Sequence, residues 1–289
     1  MCDNDSFDDI IKHEPTSGRL SRRQFGALTV GAGVISMLPA FAGAADVTEA
    51  DIDIKTPDGT ANAYLVHPRH GVHPGVLVWP DVFGLRPFFK QLGKRLAESG
   101  YSVLVVNPFY RIKREPTVPD FDNPATRPTM TGLLSSLTPK VMESDARTFI
   151  PYLDAQRAVD RRRKLGVAGY CIGGPITFRT AAAFPGRVGA GASFHGNNLV
   201  TKDADSPHLL IPNLNAKFLV AIAENDDARD PEAKNVLRSS FQEAHRDAEV
   251  EVYAGALHGW CTADVRTYNP DLAEKAWSRL LYLFQSALV

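Results

Sequence analysis

The sequence predicts an α/β fold, with helices on both faces of one mainly parallel sheet in a single domain. Short apolar runs typical of buried strands alternate with segments of helical periodicity. A glycine-rich turn at 169–174 joins one of these strands to a helix, and polar residues follow the ends of several others. Because ligands bind at the carboxyl ends of parallel strands, these polar residues mark one candidate site.

The N-terminal segment predicts an export signal that does not belong to the fold. An Arg-Arg pair at 22–23 precedes an apolar stretch over 27–42, which ends in small residues. This pattern is typical of a leader recognised by the twin-arginine export machinery. We therefore expect a signal peptide over 1–45, cleaved near 42–45, and a periplasmic domain over 46–289. The stretch is short and glycine-rich for a stable membrane span, which needs about 20 apolar residues.

Composition argues against several classes of protein. A net charge of −1 gives no reason to expect a nucleic-acid partner. The three cysteines, Cys2, Cys171 and Cys261, are too few for a disulfide framework. The sequence has no phosphate-binding loop, no dinucleotide fingerprint in strand context and no cluster with metal-ligand spacing, so we expect neither cofactor nor metal.

The first half of the domain predicts a hairpin, two buried strands and a helix. β-Forming residues on both sides of the Pro-Asp-Gly turn at 57–59 favour an antiparallel hairpin. Compact apolar runs favour buried strands, and the spacing of Phe89, Leu92 and Leu96 favours a helix that ends before Gly100. In order, we predict hairpin strands over 50–55 and 61–67, a strand over 75–79, a helix over 88–99 and a strand over 101–106.

Residues 112–140 interrupt this alternation, because they are rich in Pro, Thr and Ser and have few periodic apolar positions. We predict a long excursion over the strand ends that forms a partial lid. Strands and helices alternate again after it. They are a helix over 141–158, a strand from Leu165 into the glycine-rich turn and a helix after the turn, strands over 188–194, 217–223 and 249–253, and helices over 231–244 and 273–288.

The glycine-rich turn reads Gly-Tyr-Cys-Ile-Gly-Gly, which places Cys171 at the nucleophile of a G-x-nucleophile-x-G pattern. A sharp strand-to-helix turn leaves no room beside the nucleophile, so its neighbours are small. The N-terminus of the following helix favours a thiolate over a thiol. A buried structural cysteine would produce the same short motif. The functional interpretation therefore depends on a base and an acid elsewhere in the chain.

Segments after two later strands supply a base and an acid. His258 lies in a glycine-bounded loop after the last strand, and the segment after the preceding strand offers Asp226 or Asp227 to orient its imidazole. Asp226 is favoured because it stands nearer the strand end. The order Cys171, Asp226, His258 is that of nucleophile, acid and histidine in α/β-hydrolases. His195 is the rival histidine, but it precedes the acid, so we expect it to line the pocket.

Attack on a carbonyl needs hydrogen-bond donors for the negative charge that develops on the oxygen. The backbone N–H of Ile172, directly after the nucleophile, is one candidate. The N–H of Val82, in the loop after the 75–79 strand, is the other.

Together these segments resemble the dienelactone hydrolase family of α/β-hydrolases, which use a Cys–His–Asp triad. The resemblance covers nearly the whole domain after the leader and rests on several short motifs. It implies hydrolysis of a small ester or lactone through a thioester acyl-enzyme, with a triad of Cys171, His258 and Asp226. The motifs are G-Y-C-I-G-G, E-N-D-D, A-L-H-G-W, D-V-F-G-L and N-P-F-Y-R.

The resemblance also implies roles for residues around the triad. In the family an acidic residue after the third strand assists the cysteine, and Asp81 has this position, where well-known members have glutamate. Family members that act on dienelactones bind the substrate carboxylate with arginines. Arg111 resembles one of them, whereas Thr262 stands where the second is expected. The candidate substrate-binding residues are Tyr110, Arg111, His195 and Trp260.

Two other interpretations remain open at this point. A bridge between Cys171 and Cys261 would make a redox-controlled or ligand-binding protein without hydrolytic turnover, provided that the two Cα atoms lie within about 7 Å. Alternatively, the chain has the hydrolase fold but a decayed site.

Overall fold

A computed structural model describes residues 45–115, 117–118 and 123–289. Nearly all of the predicted leader therefore lies outside the described residues. The described part forms one eight-stranded sheet in the order β1-β2-β4-β3-β5-β6-β7-β8. The strands are β1 (Val47–Thr56), β2 (Gly59–Pro68), β3 (Gly75–Trp79), β4 (Ser102–Val106), β5 (Leu165–Tyr170), β6 (Val188–Phe194), β7 (Lys217–Ala223) and β8 (Ala248–Tyr253).

The sheet is mainly parallel, as the sequence predicts. Strand β2 pairs antiparallel with β1 on one side and with β4 on the other. The remaining pairings, from β4 across the sheet to β8, are all parallel. The strands β3, β4, β5 and β6 are buried along their whole length, which explains their continuous apolar or small-residue character. Parallel pairing brings the carboxyl ends of six strands to one edge.

Helices cover both faces of the sheet. On one face, apolar residues of α3, α4 and α6 join the cluster that contains Leu77 and Val167. On the other, α1 and α7 join the cluster that contains Val76 and Ala168. The helices are α1 (Pro87–Glu98), α2 (Arg127–Ser136), α3 (Pro139–Asp154), α4 (Gly173–Ala183), α5 (Glu224–Arg229), α6 (Ala233–Glu243) and α7 (Pro270–Ala287).

The structure differs from the sequence prediction in the excursion over 112–140, of which 116 and 119–122 lie outside the described residues. Helix α2 occupies part of this segment, and α3 begins at Pro139, where Thr138 caps it by accepting a hydrogen bond from the Val141 N–H at 3.3 Å. Helix α2 buries only Met130 and Leu133, so its apolar periodicity is too weak to recognise in the sequence.

A second difference concerns the predicted helix over 231–244. The structure has two helices here, α5 directly after β7 and α6 from Ala233, separated by Asp230, Pro231 and Glu232. The sequence analysis does not predict the acidic α5, because this helix has no buried residue and hence no apolar pattern. Within the described residues, no helix is both long enough and apolar enough to span a bilayer.

Candidate active site

Strand β5 delivers Cys171 to the sharp turn that precedes α4. Cys171 has a φ of +52°, a left-handed conformation that is costly for a non-glycine residue and is typical of nucleophile turns. The residues two positions before and after it have to be glycines. A Cβ on Gly169 would lie 1.9 Å from the Gly173 carbonyl oxygen, and a Cβ on Gly173 would lie 2.3 Å from the Trp79 carbonyl oxygen. The backbone therefore fixes the position of the sulfur closely.

The structure brings the three predicted triad residues together. Nδ1 of His258 donates a hydrogen bond to Oδ2 of Asp226 at 2.7 Å, which leaves Nε2 to interact with the thiol of Cys171. Both the histidine ring and the cysteine are buried. Burial alone disfavours the imidazolium, but the charge of Asp226 and then that of Cys171 raise the pKa of His258 well above its ordinary value. The site therefore favours a thiolate–imidazolium pair.

The hydrogen-bond partners of Asp226 and Asp227 show which of the two aspartates binds the imidazole of His258. Asp227 binds the ammonium of Lys234 with both carboxylate oxygens at 2.7 Å, so it faces away from the imidazole. Asp226 uses Oδ2 for His258 and Oδ1 for Arg229, at 3.2 Å. The geometry thus joins His258 to the first of the two carboxylates.

Hydrogen bonds to the backbone of His258 hold its loop. Oδ1 of Asn225 accepts from the His258 N–H at 2.9 Å, and the hydroxyl of Thr267 donates to the His258 carbonyl at 2.7 Å. The imidazole is therefore positioned from α5 on one side and from the segment before α7 on the other.

His195, predicted to line the pocket, lies beneath the nucleophile. It is 1% exposed, and its Nδ1 accepts a hydrogen bond from the backbone N–H of Cys171 at 3.1 Å. Its ring packs edge-on against those of His258 and Trp260, with centroids 4.9 and 5.2 Å away. Burial and then the charge of His258 lower the pKa of His195 well below its ordinary value, so it stays neutral.

The two predicted oxyanion donors lie in loops at the same edge of the sheet. Val82 follows β3, and Ile172 follows the nucleophile at the N-terminal end of α4. Both residues are buried, and within the described part of the chain neither backbone N–H donates to a protein acceptor. Buried amide donors without a protein partner are rare, and a carbonyl oxygen above the sulfur would provide one.

Asp81 is buried and bound to an arginine. Its carboxylate accepts two hydrogen bonds from Arg86, at 2.6 and 2.9 Å, and one from the N–H of Phe83 at 2.9 Å. Arg86 binds Asp264 through two further hydrogen bonds, at 2.6 and 2.9 Å. This ion triad ties the loop after β3 to the segment that follows His258. A contact between Asp81 and the cysteine stays a prediction.

The other predicted substrate-binding residues are engaged within the protein. Arg111 binds Asp145 through two hydrogen bonds, at 2.6 and 2.9 Å, and also Asp58. The hydroxyl of Tyr110 donates to Asp145 at 2.9 Å. Trp260 is fully buried. The charge of Arg111 is therefore already compensated, and a role for these residues in substrate binding stays a prediction.

Cys171 and Cys261 are both unbridged. They also belong to different apolar clusters, one on each face of the sheet. The structure therefore gives no support to the redox-bridge interpretation. Burial raises the pKa of the Cys261 thiol well above its ordinary value, which makes this thiol unreactive.

A cavity of about 300 Å³ lies beside the nucleophile turn. Ile172 and Pro175 form one wall, and Leu134, Leu137 and Met142 form another. The excursion that the sequence assigns to a lid thus contributes an apolar wall of this cavity. The volume is at the lower end of the range for small-molecule sites.

A parallel sheet with a strained nucleophile turn after β5, an acid after β7 and a histidine after β8 defines an α/β-hydrolase. Comparisons with known proteins narrow this class. The model of the dienelactone hydrolase family matches residues 61–288. The "Putative carboxymethylenebutenolidase" of Escherichia coli (strain K12) is 30% identical over 231 residues, which cover 77% of this chain and 81% of that protein.

Solved structures agree on the fold. The "Putative Dienelactone Hydrolase" of Klebsiella pneumoniae is similar with a TM-score of 0.73 and 24% identity, covering 83% of this chain and 99% of that one. A dienelactone hydrolase-like promiscuous phosphotriesterase from metagenomic libraries has a TM-score of 0.70 and 21% identity, covering 86% and 100%. The chain belongs to the dienelactone hydrolase family. It is a carboxylic ester hydrolase, since a dienelactone is a cyclic ester.

Sequence reasoning missed three charged residues at this edge: Arg86, Asp264 and Arg179. Arg86 and Asp264 are 178 positions apart, and no short motif links them. Arg179 lies two turns into the helix after the nucleophile, and its spacing of seven residues from Ile172 indicates that both lie on the same face of that helix.

Proposed function

We propose that this chain hydrolyses small esters or lactones by nucleophilic attack of Cys171, with His258 as the proton carrier and Asp226 as its orienting acid. The observation that supports this most directly is the 2.7 Å hydrogen bond between His258 and Asp226 beside a buried cysteine. A nucleophile, a base within reach and an acid that orients the base are what acyl transfer requires.

The proposed reaction has two halves. The Cys171 thiolate attacks the carbonyl carbon, and the electron pair of the C=O bond moves to the oxygen, where the N–H groups of Val82 and Ile172 stabilise it. The C–O bond then breaks, and the imidazolium of His258 gives its proton to the leaving alkoxide. A thioester on Cys171 remains.

Hydrolysis of the thioester completes the cycle. His258 removes a proton from water, and the resulting hydroxide attacks the thioester carbonyl. The C–S bond breaks, the carboxylic acid product leaves, and the thiolate is restored beside the protonated imidazole. Asp226 stays ionised throughout and stabilises the imidazolium each time it forms.

Replacing the nucleophile tests this proposal. We expect Cys171→Ala to abolish hydrolysis of 4-nitrophenyl acetate while the circular dichroism spectrum stays that of the wild type. Cys261→Ala is the matched control and should retain activity, because that thiol lies in the other apolar cluster. Rapid quenching followed by mass spectrometry should find one acyl group on the peptide that contains Cys171. Undiminished turnover by the Cys171→Ala variant would refute the proposal.

We also propose that the enzyme acts in the periplasm after export through the twin-arginine machinery. The support is the Arg-Arg pair at 22–23 and the moderate apolar stretch that follows it. An exported hydrolase would meet its ester substrate outside the cytoplasm.

A further inference from the structure

His195, the residue directly after β6, has a strained backbone. Its φ is +41°, in the left-handed region that a non-glycine residue adopts only at an energetic cost. Contacts on two sides hold this backbone. The His195 N–H donates to the carbonyl of Ala221 in β7 at 2.8 Å, and a Cβ on Gly196 would lie 3.2 Å from the Cα of Gly174 in α4. Strain that a fold maintains in this way indicates a functional position.

The side chain of His195 contacts both the nucleophile and the base. Its Nδ1 accepts a hydrogen bond from the backbone N–H of Cys171 at 3.1 Å, and its ring lies edge-on to that of His258, with centroids 4.9 Å apart. The Cys171 N–H is shared, because the carbonyl of Phe194 also accepts from it at 3.0 Å. The carbonyl bond continues the ladder between β5 and β6, in which Tyr170 pairs with Phe194. The bond to the imidazole is additional, and it depends on the side chain at 195.

This geometry determines where the His195 ring carries its proton. A ring nitrogen that accepts a hydrogen bond has no proton, so the neutral imidazole is protonated on Nε2. Nε2 is buried and has no hydrogen-bond acceptor among the described residues. The charged groups that face the ring are His258, after β8, and Arg86, in the loop after β3. Burial first, then the charge of His258 and that of Arg86, lower the pKa of His195, so Nδ1 stays an acceptor.

We propose that His195 is a positioning residue for the nucleophile: its unprotonated Nδ1 holds the backbone N–H of Cys171, so that the thiol keeps the orientation that attack requires. This N–H belongs to the peptide group that joins Tyr170 to Cys171. Rotation of that group changes the φ of Cys171, which is +52°, and moves Sγ relative to His258 and the oxyanion donors. Small displacements of a reacting atom lower the rate strongly. The inference rests on the proposed function, because it takes Cys171 as the nucleophile.

Two substitutions of His195 separate its hydrogen-bond acceptor from its ring. His195→Asn keeps an acceptor, since Oδ1 of asparagine takes about the position of Nδ1, and asparagine tolerates the left-handed conformation. His195→Phe keeps an aromatic ring but has no acceptor. We expect kcat for 4-nitrophenyl acetate to fall about 5- to 30-fold in His195→Phe, with KM within about threefold of the wild type. In His195→Asn, kcat should stay within about threefold.

His73→Phe is the matched control for loss of a histidine ring. His73 precedes β3 and therefore lies at the opposite edge of the sheet, so this variant should keep kcat within about threefold of the wild type. Urea unfolding establishes that each variant is folded under the assay conditions. A kcat for His195→Phe that equals or exceeds that for His195→Asn would overturn the proposal, because the acceptor would then have no effect of its own.

A second experiment uses the wild type and does not need turnover. In ¹⁵N spectra of protein labelled at histidine, Nδ1 of His195 should have the chemical shift of an unprotonated imidazole nitrogen, and Nε2 that of a protonated one. Loss of these signals in either variant at 195 identifies them. A proton on Nδ1 at the pH of the assay would refute the inference, whatever the outcome for hydrolysis. Failure of the proposed function would instead appear in Cys171→Ala and would leave these signals as they are.

Discussion

Two histidines with almost touching rings show how surroundings decide the role of a residue. His258 and His195 are both buried, with ring centroids 4.9 Å apart. The charges of Asp226 and Cys171 favour the charged form of His258. Burial and the charge of His258 favour the neutral form of His195. One imidazole is therefore suited to carry protons, and the other accepts a hydrogen bond from the nucleophile's backbone. The order of the two histidines along the chain predicted that His258 is the base, but it did not predict the hydrogen bond between His195 and the backbone of Cys171.

Removing Asp226, the proposed triad acid, should slow catalysis and shift its pH dependence. We expect Asp226→Asn to reduce kcat/KM for 4-nitrophenyl acetate by about 10³- to 10⁴-fold, as loss of the orienting acid does in other triads. Because Asp226 raises the pKa of His258, its loss lowers that pKa. The imidazolium of the ion pair then deprotonates at lower pH, so the alkaline limb of the kcat/KM profile should move to lower pH.

The neighbouring carboxylate provides the control for this measurement. Asp227→Asn removes an equal charge, but Asp227 binds Lys234 and not the imidazole. It should leave kcat/KM within about threefold of the wild type and the alkaline limb in place. Equal effects of the two substitutions would contradict the assignment of Asp226.

The turn between β5 and α4 depends on close approach of backbone to backbone. Gly173 lies against the end of β3, where a Cβ would meet the Trp79 carbonyl oxygen at 2.3 Å and the Trp79 Cβ at 3.0 Å. Neither atom belongs to a flexible side-chain end. The same approach brings the nucleophile turn next to the loop that holds Val82, so one packing requirement positions both candidate oxyanion donors.

A pair of glycine substitutions tests this close approach. Gly173→Ala should lower the free energy of unfolding by about 1–3 kcal/mol, because strand and helix must move apart. Gly132→Ala in α2 is the control: a Cβ there meets no atom within 4 Å, so it should leave stability unchanged or raise it by about 0.5–1 kcal/mol. Urea unfolding measures both values. If the two variants are equally stable, the close approach at Gly173 does not limit the turn.

Neighbouring strands of the sheet together assemble the site. Strands β5, β6, β7 and β8 are neighbours in the sheet, and the segments that follow them carry, in that order, Cys171, His195, Asp226 and His258. The ion triad around Arg86 then ties the loop after β3 to the segment after β8. Residues that are far apart in the chain therefore meet because parallel strands end at one edge.

Export is a property of the whole chain and can be tested in a bacterial host. We expect replacement of both arginines at 22–23 by lysine to keep the protein in the cytoplasm, because the export machinery reads the paired arginine. Cell fractionation and the N-terminal mass of the exported form, which should begin near 43–46, measure this. Lysine at 161–162, an exposed arginine pair within the domain, is the control and should still be exported. Equal export of both variants would refute the leader.

The sequence by itself determined the alternation of elements and the nucleophile turn, and it predicted the candidate triad. These depend on local patterns: buried strands such as Gly75–Trp79 are apolar throughout, and the sharp turn around Cys171 requires glycine two positions before and after it. The sequence did not predict weakly apolar elements such as α2, because they bury too few residues to produce an apolar periodicity.

Only the tertiary structure decided which charges are already paired and which are available. Arg111 looked suited to bind substrate in sequence, but Asp58 and Asp145 compensate it, whereas Arg179 faces a cavity without a bidentate carboxylate. The physical reason is that compensation of a buried charge depends on partners brought from distant parts of the chain. A one-dimensional pattern contains the charges but not their distances.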